Sequence, residues 1–260
     1  MRIHPTIAVA GLVLAALVQT SAFAARIAVI GTGNVGEALG PEFAAQGHTI
    51  VYGSREPARQ DVKDLVAKTG HGATAVSPQE AVRGADIVVI AVPGSAAEQV
   101  VKDLGDLSGK IVLDPTNRVN RNTPDGNLSY DKPATAASNA ELIQSLAPNA
   151  KVVKAFNTLN VRQMTDPETA GGPITIPIVG DDAQAKATIA QLVKGMGLDA
   201  VDLGPLRYAN TLEEMLVVWG NARAKGQAYN YYFRPQPQAP AAQPAQPQQR
   251  STAPSSQPPR

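Results

Sequence analysis

Short apolar runs alternate with longer amphipathic segments through the middle of the chain. Six runs rich in β-branched residues have the length expected of buried strands; they are Arg26–Ile30, Thr49–Tyr52, Ile87–Val92, Ile111–Leu113, Val152–Phe156 and Ile174–Val179. The segments between them carry apolar residues at helical spacing, over Val35–Gln46, Val62–Lys68, Ala96–Leu104, Ala140–Leu146 and Ala183–Met196. This alternation predicts an α/β fold with a doubly wound, mostly parallel sheet.

A further amphipathic helix is predicted from about Leu212. Apolar residues recur there at Leu212, Met215, Leu216 and Trp219, which places them on one helix face. Thr211 is followed three residues later by Glu214, a pairing typical of a capping box at a helix start. We expect Trp219 to belong to the core.

A glycine motif of the form Gly-x-Gly-x-x-Gly follows the first strand and opens the first helix, the context of a dinucleotide-binding Rossmann fold. The first glycine permits the tight turn, the second lets the backbone approach a pyrophosphate, and the third allows close packing of helix on strand. Free N–H groups at the helix start then favour the phosphates. The alternative is a glycine turn without a ligand. The predicted binding residues are Gly31, Thr32, Gly33, Asn34, Val35 and Gly36.

The second strand ends in a sequence that favours NADP over NAD. NAD sites usually carry a carboxylate about 20 residues beyond the glycines, where it binds the ribose hydroxyls. Here Gly53, Ser54 and Arg55 follow, with no acidic residue before Glu56. A hydroxyl and a guanidinium would bind a 2′-phosphate, and Arg59 can add a second cation. The alternative is that Arg55 is only a solvated surface charge.

Three later strands end in residues that we also expect to face a ligand, because ligands bind beyond the carboxyl ends of such strands. The small-residue turn at Ala91, Val92 and Pro93 would let the nicotinamide half of the cofactor lie flat. Amides of Asn117 and Asn157, with Thr158 beside the latter, are candidates for the substrate pocket. Both asparagines have an alternative role as turn caps.

The two ends of the chain differ in composition from the middle. Arg2, an apolar run over residues 7–18 and the small residues of Ala22-Phe23-Ala24 form the pattern of a secretory signal peptide over residues 1–24. We expect cleavage after Ala24 and a periplasmic or secreted protein, or a cytoplasmic one if the signal is unused. Residues 25–226 then form the NADP-binding domain. A Pro/Gln-rich tail over 227–260 is expected to be disordered.

The tail begins with aromatic residues, for which two interpretations exist. One is that they fasten the last helix to the domain, and the other is that they form a partner-binding patch. They are Tyr229, Tyr231, Tyr232 and Phe233.

The amino-acid composition argues against several classes of function. The net charge of +1 gives no reason to expect nucleic acid or an anionic membrane as a partner. The chain has no cysteine, which excludes disulfides and thiolate chemistry, and its three histidines lie far apart, so we expect no metal site. We also expect no stable membrane span, since the apolar run near the N-terminus is short. A homodimer is one candidate for the oligomeric state.

Four segments together resemble the NADPH-dependent reductases of the deazaflavin coenzyme F420, and the cytosolic domain of the six-transmembrane metalloreductases. They are residues 31–36, 53–55, 91–93 and 151–158, of which Lys154-Ala155-Phe156-Asn157-Thr158 is the most specific. The resemblance covers about residues 26–220 and implies hydride transfer between NADPH and a flavin-like acceptor. It further implies that Pro93, Asn157 and Thr158 border that acceptor. Residues 118–133 form a longer polar loop than the resemblance leads us to expect.

Three functional hypotheses follow. The first is an NADPH-dependent oxidoreductase acting on a flavin- or deazaflavin-like acceptor, which needs little from side chains beyond positioning and exclusion of water. The second is a reductase of a small imine or keto substrate, for which Tyr130 is the candidate proton donor. The third is an exported, non-catalytic NADP-binding protein. No side chain is predicted to be catalytic.

Overall fold

The computed structural model describes residues 24–234. The predicted signal segment, apart from Ala24, and the tail beyond Arg234 lie outside the described residues. No helix among residues 24–234 combines the length and apolar character needed to cross a bilayer.

An eight-stranded sheet forms the centre of the molecule, and a separate two-stranded hairpin accompanies it. The strands are β1 (Arg26–Ile30), β2 (Thr49–Gly53), β3 (Thr74–Val76), β4 (Ile87–Ile90), β5 (Ile111–Asp114), β6 (Val119–Asn120), β7 (Ser129–Tyr130), β8 (Lys151–Lys154), β9 (Thr175–Gly180) and β10 (Asp199–Asp202). The sheet order is β3-β2-β1-β4-β5-β8-β9-β10, and only the β8–β9 pairing is antiparallel. The first six strands follow the order of a dinucleotide-binding fold.

Helices cover both faces of this sheet. They are α1 (Asn34–Ala45), α2 (Gln60–Thr69), α3 (Pro78–Ala81), α4 (Ala97–Leu104), α5 (Asn139–Leu146), α6 (Val161–Thr165), α7 (Ala183–Gly195) and α8 (Ala209–Ala224). Alternate residues of β1 enter different cores: Ile27 and Val29 pack with α1 and α7, whereas Ala28 and Ile30 pack with α4 and α5. The predicted doubly wound, mostly parallel sheet is therefore confirmed.

Three strand features were missing from the sequence-based prediction. Strand β3 has three residues, and β10 is an edge strand whose end residues are exposed. The polar loop over residues 118–133 contains the β6–β7 hairpin, each strand of which has two residues. Runs this short carry too little apolar periodicity to stand out in a sequence.

The predicted start of the last helix is wrong. Helix α8 begins at Ala209, and no side chain caps it, because a 3-10 turn over Leu206–Tyr208 leads directly into it. Thr211 and Glu214 consequently lie inside the helix and form no capping box.

Trp219 is half-buried, so its predicted place in the core is also wrong. Its indole N–H donates to the carbonyl of Tyr229 at 2.8 Å. The guanidinium of Arg223 lies 5.3 Å from the ring centroid.

Residues 227–234 pack back onto the domain. The hydroxyl of Tyr231 donates to the carbonyl of Met215 in α8 at 2.7 Å. The backbone N–H of Thr175 donates to the Tyr231 carbonyl, and the N–H of Phe233 donates to the Thr175 hydroxyl. The interpretation that aromatic residues fasten the last helix to the domain is therefore confirmed for this segment.

Candidate functional site

A cleft of about 410 Å³ opens at the carboxyl ends of β1, β2 and β4. Its position is the one where doubly wound sheets bind ligands. Nine of the predicted cofactor-binding residues line it, namely Gly31, Thr32, Gly33, Ser54, Arg55, Arg59, Ala91, Val92 and Pro93. The other three, Asn34, Val35 and Gly36, form the first turn of α1 beside it.

The glycines of the motif occupy distinct environments. Gly31 has φ of +109°, and a Cβ there would collide with the carbonyl oxygen of Ala91. A Cβ on Gly36 would collide with the Gly31 carbonyl, so this glycine permits the close approach of α1 to the turn. A Cβ on Gly33 would meet no atom within 4 Å, which leaves open space at that backbone.

The N-terminus of α1 suits an anion. Gly33 is the N-cap, and no side chain accepts a hydrogen bond from the first-turn N–H groups. These donors and the helix dipole are the usual partners of a pyrophosphate. The open space at Gly33 and the uncapped helix together fit a dinucleotide phosphate.

The far end of the cleft carries the groups predicted to bind a 2′-phosphate. Ser54 is buried, and its backbone N–H donates to the carbonyl of Val76 at 2.9 Å. Arg55 is exposed and lines the cleft. Glu56, the first acidic residue after the second strand, also lines this end of the cleft.

Arg59 already has an anionic partner. Its Nε and a terminal nitrogen contact the two carboxylate oxygens of Asp61 at 2.5 and 2.8 Å. Both side chains are about half exposed, at 48% and 57%. An exposed pair of this kind contributes roughly 0–1 kcal/mol, so a phosphate could replace Asp61 at little cost.

The predicted substrate-pocket residues lie beyond β5 and β8, outside the lining of this cleft. The Asn117 side-chain N–H donates to the Asn157 carbonyl at 2.8 Å. The Asn157 amide donates in turn to Asn117 Oδ1 at 3.0 Å and to the Leu212 carbonyl at 2.7 Å. Asn157 is only 2% exposed, whereas Asn117 and Thr158 are half-buried. The two asparagines therefore join the ends of β5 and β8, and Asn117 and Thr158 are the more accessible of the three.

Phe156 stands just before this amide pair in a left-handed conformation, with φ of +65°. Such a conformation is rare for a bulky residue and costs about 1–3 kcal/mol. Burial holds the residue in place: its ring is 1% exposed and meets the edge of Phe43 at a centroid distance of 6.2 Å. Strained residues of this kind cluster at functional sites.

A buried polar hub beside the amide pair was missed by the sequence analysis. We define it as Asp114, Asn139, Lys154 and Glu213, all 0% exposed. The Lys154 ammonium lies 2.9 Å from Asp114 Oδ2, 2.9 Å from Glu213 Oε1, and in contact with the Thr116 carbonyl. The backbone N–H of Asn139 donates to both carboxyl oxygens of Glu213, at 3.0 and 3.2 Å.

Burial and neighbouring charges shift the pKa of Lys154 in opposite directions. Burial alone would lower the pKa of Lys154, but Asp114 and Glu213 outweigh it and raise that pKa. The hub therefore contains a lysine that stays charged. A signal for it existed in the sequence, because Lys154 stands inside an apolar strand run.

The family assignment rests on comparison with known proteins. A sequence profile described as NADP oxidoreductase, coenzyme F420-dependent, matches residues 26–118. A crystal structure from Arthrobacter sp. FB24, of a protein provisionally assigned as an F420-dependent NADP reductase, is 32% identical. It superposes with a TM-score of 0.73 over 81% of this chain and 100% of its own length.

More distant relatives share the domain. Metalloreductase STEAP3 of Rattus norvegicus is 27% identical over 190 residues, which is 73% of this chain and 36% of that protein. The chain thus spans about a third of the length of the curated relatives it matches. A reductive aminase from Aspergillus terreus, solved with NADPH, shares the fold at 19% identity and a TM-score of 0.57, over 78% of this chain and 63% of its own.

The match to the Arthrobacter protein extends over the whole length of that protein at 32% identity. The chain belongs to the family of coenzyme F420-dependent NADP oxidoreductases and is an NADP-dependent oxidoreductase.

Proposed function

We propose that the chain transfers hydride between NADP(H) and a flavin- or deazaflavin-like acceptor, with coenzyme F420 as the leading candidate. The observation that carries the proposal is the lining of the cleft at the carboxyl end of β4, where Ala91, Val92 and Pro93 offer no acid or base. Asn117 and Thr158, which are proposed to border the acceptor, are neutral as well. Hydride transfer between two stacked rings needs positioning and exclusion of water rather than an acid or base.

The residues of the chain have separable tasks under this proposal. Bound NADPH supplies the hydride. The turn over residues 31–36 holds the pyrophosphate, and Ser54, Arg55 and Arg59 hold the 2′-phosphate. The apolar turn at residues 91–93 supports the nicotinamide ring, while Asn117 and Thr158 orient the acceptor.

Reduction of a small imine or keto substrate is the second candidate, and it needs a proton donor. The candidate donor was Tyr130, whose hydroxyl already contacts the Ala137 carbonyl at 2.9 Å and the Glu213 carboxyl at 3.0 Å. The likeness to the reductive aminase is one of fold. The structure therefore offers less support for this chemistry than for ring-to-ring transfer.

An acceptor screen tests the proposal. Purified protein and NADPH are mixed without oxygen, and loss of nicotinamide absorbance is followed with coenzyme F420, FMN, riboflavin, a cyclic imine and a keto acid. We expect turnover with at least one of the first three compounds and much slower reaction with the last two. Preferential reduction of the imine or the keto acid would refute the proposal.

Thr158→Val should weaken acceptor binding because valine keeps the shape and removes the hydroxyl. Loss of one hydrogen bond of about 0.5–1.5 kcal/mol corresponds to a roughly two- to tenfold higher KM for the acceptor. The NADPH dissociation constant should not change. Thr165→Val, at an exposed position of α6, is the matched control. An equal effect of both variants would remove Thr158 from the acceptor site.

Export is part of the proposed biology. The signal-peptide pattern over residues 1–24 favours a mature chain in the periplasm or outside the cell, where it would have to obtain NADP. Edman sequencing of protein purified from the native host should begin at Ala25. An intact Met1 on cytoplasmic protein would show that the segment is not used as a signal.

A further inference from the structure

The buried polar hub connects the elements that carry the acceptor side of the site. Asp114 ends β5, Lys154 ends β8, Asn139 begins α5 and Glu213 lies in α8. The Asn139 side-chain amide donates to the Gly94 carbonyl at 3.1 Å and to the Thr116 hydroxyl at 2.6 Å. The hub is therefore hydrogen-bonded to the loop that follows β4 and to the loop that follows β5.

These two loops are the ones that present Pro93 and Asn117. Gly94 and Thr116 are their immediate neighbours in sequence, and a Cβ on Gly94 would collide with the Asn117 carbonyl. A shift of the hub would therefore move the nicotinamide support and the acceptor amide together.

The charges of the hub do not balance if both carboxyl groups are ionised. Among residues 24–234, Lys154 is the only cation that contacts the carboxyl groups of Asp114 and Glu213, and all three side chains are 0% exposed. A net negative charge without solvent is costly. One proton held on a carboxyl group removes that cost.

Hydrogen-bond geometry indicates which carboxyl group holds the proton. The Tyr130 hydroxyl has one hydrogen but lies near two oxygens, those of Ala137 and Glu213. If Glu213 carries a proton, it donates to the Tyr130 oxygen while Tyr130 donates to Ala137, and both contacts are satisfied. Asp114 instead accepts only, from Lys154 at 2.9 Å and from the Thr116 N–H at 2.8 Å.

We propose that Glu213 is held as a neutral acid in the folded protein and is a positioning residue for the acceptor side of the site. Its proton completes the hydrogen bonds that join α8, α5 and the β7 end of the hairpin. The positioning role depends on the proposed function, whereas the protonation state does not.

The surroundings of Glu213 agree with this assignment. Burial, followed by the attraction of Lys154 and the repulsion of Asp114, leaves the pKa of Glu213 above its ordinary value of 4.5. The remaining charged or titratable groups nearby are Tyr130, the exposed Glu214, and Arg118, which lies on the Tyr130 side. Burial and Glu213 raise the pKa of Tyr130, so its hydroxyl stays protonated at neutral pH.

Glu213→Gln tests the protonation state, because glutamine reproduces the shape and hydrogen bonds of a neutral glutamic acid. An acid with a raised pKa loses its stabilising contribution as pH rises above the unfolded value of 4.5, and glutamine removes that loss. The melting temperature of the variant minus that of the unmodified protein should therefore increase between about pH 5 and pH 8. The expected gain is about 3 °C or more, while Glu214→Gln, at the exposed neighbouring position, should show none. A variant that instead becomes relatively less stable as pH rises would show that Glu213 is ionised, and would overturn the proposal.

Glu213→Leu tests the positioning role, since leucine fills the space without hydrogen-bonding. Amide hydrogen exchange should quicken in residues 93–96 and 114–118, and kcat with the acceptor should fall by roughly tenfold or more. The dissociation constant of NADPH should stay within about twofold of the value for the unmodified protein. The residues proposed to bind the cofactor phosphates lie at the ends of β1 and β2, away from the hub. Glu213→Gln should retain the exchange pattern and kcat of the unmodified protein.

The failures of the two proposals are distinguishable. If the unmodified protein reduces no acceptor, the proposed function is wrong. The melting experiment still tests the protonation state of Glu213, and hydrogen exchange still tests its positioning role. If Glu213→Leu leaves exchange in residues 93–96 and 114–118 unchanged, the positioning role is wrong whatever the acceptor.

Discussion

Arg55→Ala should weaken NADPH binding by about tenfold or more and leave NADH binding nearly unchanged. A charge-assisted hydrogen bond contributes about 1.5–3 kcal/mol, and about 1.4 kcal/mol corresponds to a factor of ten. Arg55 lines the cleft beside Ser54. NADH has no 2′-phosphate and so cannot lose that contact.

Titration of both cofactors by nicotinamide fluorescence measures this difference. Arg83→Ala removes the same charge at an exposed position outside the cleft and should change neither affinity. Arg59→Ala should cost less than Arg55→Ala, since Arg59 must first leave Asp61. If Arg55→Ala weakened NADPH and NADH equally, Arg55 would not be the 2′-phosphate ligand.

The cofactor cleft was predictable because its determinants are local in sequence. A strand, three glycines and a helix occupy consecutive positions, and each glycine acts on the backbone of its own turn or on the adjacent strand end. The end of the second strand is likewise read from the consecutive residues 53–55. Parallel topology then brings these segments together without further information.

The acceptor side was predictable only as far as the strand ends. Asn117 and Asn157 could be placed beyond their strands, but their mutual hydrogen bonds join residues forty positions apart. The hub joins Lys154 to residues in β5 and α8, and no short motif encodes such a set. Glu213 stands close to the predicted start of the last helix at about Leu212, but the helix begins at Ala209 and the Glu213 side chain is buried.

The short strands were missed in the sequence-based prediction for a different reason. Strands of two or three residues are stabilised by their neighbours. Strand β3 pairs with β2. The β6–β7 hairpin is attached to α8 through Asn221, whose side-chain amide accepts a hydrogen bond from the Leu128 N–H and donates one to the Leu128 carbonyl. Tertiary contacts of that kind override local propensity. A polar composition over residues 118–133 therefore indicated a loop, although two short stretches near its ends pair with each other as β6 and β7.

Lys154→Met should destabilise the fold by about 3–5 kcal/mol, the cost of breaking a buried ion pair by removing one partner. Methionine fills the space but leaves Asp114 and Glu213 without a cation. Urea unfolding measures this loss in the free energy of unfolding.

Lys102→Met is the matched control, since Lys102 pairs with Glu98 at 2.7 Å on the exposed surface of α4. Its cost should stay below about 1 kcal/mol. Similar costs for the two variants would mean that the hub is hydrated in solution and that Lys154 does not neutralise it. A large cost at Lys154 alone would show that a charge is needed inside this sheet, and that the strand ends bearing Asn117 and Asn157 depend on it.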